Sequence, residues 1–206
     1  MSAPPKTVLH ASAEEEAAIR AAVRGASVAR FGPGSVIAGP EHVAGLVELL
    51  SDPAVSGPIY DLPRPINAET IAAWVADAEA KRQAGEAILM VRHDPQGRIS
   101  SYSRFTVWPQ HSAAEIAGAY RADMQSAGAG KAGAALSFDW MFSELGVRLI
   151  CVTAALDNVR SARVIEAAGF TPMGERESTR PDGSTRRSLY WEMTREAWAQ
   201  RRADAG

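Results

Sequence analysis

The residues most suggestive of chemistry lie in "MQSAGAGKAGAAL", Met124–Leu136. Gln125, Ser126, Ala127, Gly128, Ala129, Gly130 and Lys131 come before any bulky apolar residue returns. Glycines let a backbone approach a phosphate without Cβ obstruction, and free N–H groups at a helix start favour an anion. Three phosphate readings therefore compete with a plain turn. A Walker loop needs G-x-x-x-x-G-K-[ST]; here Gln125 takes the first glycine position and Ala132 the hydroxyl position, so no group is offered to magnesium. Gly128-x-Gly130-x-x-Gly133 matches the dinucleotide fingerprint, with Asp157 downstream as a ribose-binding acid. That reading calls for a buried parallel strand before the loop, where "YRADMQSA" is polar, and for further β-α units after it. The third reading is Gln125-x-x-Gly128-x-Gly130, a Q/R-x-x-G-x-G/A loop opening a helix after an antiparallel strand.

The elements around the loop show what positions it. "SAEE" at Ser12–Glu15 fits a capping box, predicting a helix to about Arg24. Residues 1–35 read as an N-terminal helical arm, either packed or mobile, and 36–206 as the main domain. Val36–Ala38 is a short strand. Val43, Leu46, Val47 and Leu50 form the stripe of an amphipathic helix. Ser51–Pro65 is a proline-rich loop, and a second helix begins at Asn67 with Ile71, Trp74, Val75 and Ala78 on one face. Strands follow at Ala87–His93, Arg98–Trp108 and Ala113–Met124. After the loop come a helix carrying Phe138 and Phe142, a strand at Val147–Leu156, a short helix capped by Asn158, and a closing hairpin turned by "PDGS". The order is β-α-α-β-β-β-loop-α-β-α-β-β.

Composition narrows the function. Among 206 residues, 46% hydrophobic, the net charge is −2, which points away from nucleic acid. The single cysteine, Cys151, excludes an internal disulfide and a multi-cysteine metal site; it reads as packing. His10, His42, His93 and His111 show no metal-ligand spacing, so no metal is expected. No apolar run approaches the roughly 18 residues of a membrane span, and the N-terminus has no apolar signal core. The expectation is a cytoplasmic protein, monomer or homodimer, acting without membrane or nucleic acid.

Four stretches resemble the GCN5-related N-acetyltransferases (GNAT), within them the ribosomal-protein-N-acetyltransferase-like subgroup. They are "EHVAGLVELLSDPAV" with "AAWV", "QSAGAG", "FSELGVRLICVTAALDNVRSARVIEAAGFTPMGE" and "DGSTRRSLYWEMTREAW". In the third, Asn158, Ser161, Arg163, Glu166, Gly169 and Phe170 fall in N-x-x-S-x-R-x-x-E-x-x-G-F. The resemblance spans about Val36 to Trp198. It implies an α/β (α+β) fold: a mixed, mostly antiparallel central sheet with a V-shaped split, flanked by helices. It implies acetyl-CoA as co-substrate and transfer of its acetyl group to a primary amine, a peptide N-terminus or a small molecule, by direct attack. The alternatives are a non-catalytic acyl-CoA-binding module of the same fold and a nicotinamide oxidoreductase.

Site roles follow from the same resemblance. Glu115 is the first candidate for general base, standing where relatives read "EIGY". Ser161 matches a serine that meets the thiol end of the cofactor, and Tyr190 is a candidate acid. Tyr120, Ala122, residues 125–131, Asn158, Ser161 and Arg163 are expected to bind coenzyme A. Tyr60, Asp61, Trp74 and Trp108 are expected around the amine. Some relatives carry an acid on the first strand of the final hairpin; Arg180 falls there, with Glu175 and Glu177 nearby.

Overall fold

The computed structural model describes residues 4–59, 61–124, 129–179 and 183–204. Among these residues seven strands form one sheet in the order β1-β2-β3-β4-β5-β7-β6. They are β1 (Ser35–Ile37), β2 (Ala87–His93), β3 (Ile99–Trp108), β4 (Ala113–Tyr120), β5 (Leu149–Ala155), β6 (Thr171–Thr179) and β7 (Thr185–Thr194). Every neighbouring pair is antiparallel except β4 and β5 at the centre. The parallel pair needs a crossover, and the glycine loop with its helix supplies it.

Among the described residues seven α-helices cover the two faces: α1 (Ala13–Arg24), α2 (Val43–Leu50), α3 (Pro53–Ser56), α4 (Ala68–Ala84), α5 (Ala129–Ser143), α6 (Val159–Ala167) and α7 (Arg195–Asp204). Side chains alternate across a strand, so each strand feeds both cores. On one face Ile88, Phe105, Ile150 and Trp191 pack with Ile19 and Val23 of α1 and Phe138 and Trp140 of α5. On the other, Leu89, Val91 and Tyr102 pack against Leu46 and Leu50 of α2 and Ile71, Trp74, Val75 and Ala78 of α4.

Local chemistry sets the helix ends. Ser12 caps α1 by accepting from the Glu15 amide at 3.1 Å. Glu15 does not reach back as a capping box would; its carboxylate takes the Ser112 hydroxyl at 2.6 Å and Arg148 at 2.8 Å. Asn67 and Thr70 do close a reciprocal box at α4, at 2.9 and 3.3 Å. Asn67→Ala is expected to cost about 1 kcal/mol of stability, measured by denaturant titration.

Three elements depart from the sequence pattern. The proline-rich loop contains the single turn α3, capped by Asp52, whose side chain accepts from the Ala54 amide. Helix α7 has one buried residue, Trp198, whose indole donates to Asp139 at 2.7 Å. One aromatic in ten residues gives no periodicity to read. The strand expected over Ala113–Met124 ends at Tyr120, and residues 122–124 turn as a short 3-10 helix.

Candidate active site

The central strands part. β4 and β5 are registered over three pairs only, Ala113–Leu149, Ala114–Ile150 and Glu115–Cys151. Beyond Glu115, β4 stays paired to β3 as far as Tyr120, and β5 stays paired to β7 as far as Ala155. In this stretch β4 and β5 are not registered with each other, so their facing edges diverge on either side of a V. Main-chain groups along diverging edges are able to pair with a ligand rich in amides.

Two helix starts lie at the open end. Ala129, Gly130 and Lys131 form the first turn of α5, while Gln125, Ser126, Ala127 and Gly128 lie outside the described residues. Asn158 caps α6, its Oδ1 accepting from the Ser161 amide at 3.1 Å. Ser161 is half-buried in the first turn, and Arg163 is exposed. Tyr120 ends β4 and Ala122 follows, exposed. A Cβ at Gly133 would overlap the Tyr120 hydroxyl, so a bare Cα lets the end of β4 seat against the start of α5. The overlapped atom is the far end of the half-buried Tyr120 side chain, so a methyl at position 133 turns that ring aside rather than straining the backbone. Gly133→Ala is therefore expected to weaken acetyl-CoA binding by about two- to threefold. A Tyr120→Phe background, which removes the overlapped oxygen, is expected to restore most of it. Calorimetric titration of all three variants is the check.

At the closed end of the V a row of polar side chains crosses the sheet on the face covered by α2 and α4. Glu115 pairs with Cys151, and Cys151 with Glu192. Two residues along, Thr153 pairs with Tyr190 on the same face. Glu115 and Glu192 are each 4% exposed. Thr153 donates to Glu115 at 3.3 Å, and the Tyr190 hydroxyl donates to Glu192 at 3.0 Å. Burial, followed by the neighbouring Cys151 and Glu192, pushes the Tyr190 phenol well above its usual range. The Cys151 thiol is raised in the same way, by burial first and by Glu115 second. Both therefore stay protonated, and the Tyr190 proton is directed at Glu192.

A cavity of about 380 Å³ opens on this face beside β3. Asp61, Trp74 and Trp108 line it, together with Asp77, Lys81 and Arg104. Asp77 is paired with Lys81 at 2.8 Å and Arg104 at 3.4 Å. Thr106 is also in the wall and pairs directly with Glu115, so the cavity ends one strand from that carboxylate.

The family model that matches residues 38–171 is that of the GNAT acetyltransferase domain. The chain belongs to the GNAT acetyltransferases. Among solved structures, it resembles the ribosomal-protein-S5-alanine acetyltransferase from Vibrio fischeri, with a TM-score of 0.67, 15% identity and coverage of 80% of this chain and 93% of that one. It also resembles RimL, the ribosomal L7/L12 alpha-N-protein acetyltransferase in complex with coenzyme A (TM-score 0.66, 16% identity, 81% and 97% coverage). A third is the microcin C7 self-immunity acetyltransferase MccE, in complex with acetyl-CoA and AMP (TM-score 0.65, 13% identity, 79% and 93% coverage). No curated protein matches the chain. The GNAT fold is thus established, with its parted mixed sheet.

Against that fold the expected residues fall into three groups. Glu115 lies at the closing point of the V, Asn158 and Ser161 at its open end, and Asp61, Trp74 and Trp108 around one cavity. Tyr60 and Arg180 lie outside the described residues. Glu175 is on β6, ion-paired to Arg187 at the surface. Glu192 escaped the sequence reading, although one acid inside the apolar strand "SLYWEM" was a signal for it.

Proposed function

We propose that this GNAT protein transfers the acetyl group of acetyl-CoA to a primary amine. The single observation that carries the reading is the parting of β4 from β5 directly after Glu115 and Cys151, with Asn158 and Ser161 at the head of the gap. The diverging edges suit the amide-bearing pantetheine arm, and the start of α5 suits the pyrophosphate. Acetyl-CoA supplies the activated acetyl group. Glu115 takes the proton that the attacking amine loses, directly or through water. A main-chain N–H of β4 steadies the oxyanion. The Ser161 hydroxyl hydrogen-bonds the departing sulfur.

The acceptor enters through the cavity of Asp61, Trp74 and Trp108, which ends one strand from Glu115. Peptide N-termini and small amines both meet its chemistry. The composition, with one cysteine, supports a cytoplasmic setting, and among the described residues no helix is long and apolar enough to cross a membrane. The test is thiol release from acetyl-CoA with a panel of peptides and small amines, with the product identified by mass. Acetyl-CoA binding without thiol release for any amine would favour the non-catalytic module.

A further inference from the structure

Residues Pro4–Ala11, ahead of the α1 cap, run as an irregular strap from Glu192 on β7 to the turn that precedes β4, held at both ends. At the β7 end the amides of Lys6 and Thr7 both donate to Glu192 Oε1, at 2.7 and 3.0 Å. The Lys6 ammonium donates to the carbonyls of Met173 and Glu175 on β6, at 2.7 and 2.9 Å. At the other end the Ala11 amide donates to the Gln110 carbonyl at 3.0 Å. Arg148 donates to the His10 carbonyl at 2.8 Å, and His111 Nδ1 lies 3.1 Å from the Leu9 carbonyl.

Between the anchors run β5 and Cys151, which is fully buried. Gln110 is also a wall residue of the acceptor cavity, so the strap reaches from β6 to the rim of that cavity. Glu192 is the fastening. Its Oε1 is already taken by two strap amides and the Tyr190 hydroxyl. An oxygen with three donors is poorly placed to accept a proton from an incoming amine. Its chemistry is that of an anchor, in contrast to Glu115 one strand beyond Cys151.

We propose that the Pro4–Ala11 strap is the wall that closes the acceptor side along β5 and β7 and limits the size of the amine admitted, with Glu192 as the positioning residue that fixes it. This rests on the acetyltransferase reading above. The strap is fastened to Glu192 by main-chain amides and to β6 by the Lys6 ammonium. Proline at positions 6 and 7 therefore removes both amide donors and the ammonium anchor together, while every sheet and core residue is kept.

The experiment compares wild type, the Lys6→Pro/Thr7→Pro double variant, Glu192→Ala and Glu192→Gln by two readouts. The first needs no turnover. Cys151 is the only cysteine in the chain, so its labelling rate by a small methanethiosulfonate and by a bulky maleimide reports how far the wall is open. The second is the ratio of kcat/KM for a branched amine to that for ethylamine. The proline variant and Glu192→Ala are expected to raise the maleimide rate and the branched-amine ratio about tenfold or more, with the acetyl-CoA KM within about twofold. Glu192→Gln, which keeps an acceptor oxygen, is expected to stay near wild type.

Unchanged labelling in folded variants overturns the wall. A freed thiol with an unchanged amine ratio, or uniform loss of activity towards all amines, overturns its role in selection. A wild type that acetylates no amine overturns the acetyltransferase reading and size selection with it. The labelling rates in that case still decide whether the strap covers this face.

Discussion

Glu115→Gln is expected to lower kcat/KM by about 10²–10⁴ near and below neutral pH, the usual contribution of a positioned general base. Amines arrive largely protonated, so a group at the site must take the proton. Glu115 is placed for this at the last registered pair of β4 and β5, next to Thr106 in the cavity wall. Gln keeps the shape and can still accept from Thr153, so the 3.3 Å contact survives. The sign with pH follows: the deficit is largest at low pH and shrinks as bulk solvent deprotonates the amine. A pH–rate profile of both enzymes is the measurement. A deficit of the same size at every pH would make Glu115 a structural carboxylate. Wild-type activity at neutral pH would remove it from the chemistry altogether.

How far such roles can be read from sequence depends on what creates them. Ile71, Trp74, Val75 and Ala78 are spaced for one helix face, and all four are buried. The same applies to Ala87–His93, where an apolar run between turns becomes an interior strand with its first five residues buried. The N-x-x-S-x-R segment was legible because a cap and its helix are local events: Asn158 does bond the Ser161 amide. The parting of the strands was legible only through family likeness. Nothing in "AAEIAGAY" marks Glu115 as the last residue to pair with β5, because the register depends on a distant chain segment, Leu149–Cys151. The strap was not legible at all. Its contacts run from main-chain amides to Glu192, some 185 residues on, and a main-chain bond leaves no side-chain pattern. Helix α1 sits between these cases: Ile19 and Val23 made a thin stripe, and the structure buries both in the main core.

Ser161→Ala is expected to lower kcat by about 10² while shifting the acetyl-CoA KM by no more than about threefold. A hydroxyl that meets sulfur as it becomes a thiolate bonds more strongly in the transition state than in the ground state, and only such a difference appears in kcat. The structure makes the substitution a clean one. Asn158 caps α6 through the Ser161 amide and not through its hydroxyl, so alanine preserves the cap and the helix. Asn158→Ala is the matching control. It removes the cap, costs about 1 kcal/mol of stability, and disturbs the cofactor side of the gap, so its effect should fall on the acetyl-CoA KM. Opposite splits in the two variants would separate a hydroxyl acting on the leaving group from a residue that holds the helix start. If Ser161→Ala kept kcat within about twofold, the proton for the thiolate would have to come from water. Tyr190, 1% exposed and donating to Glu192 beneath the strap, is not placed to supply it.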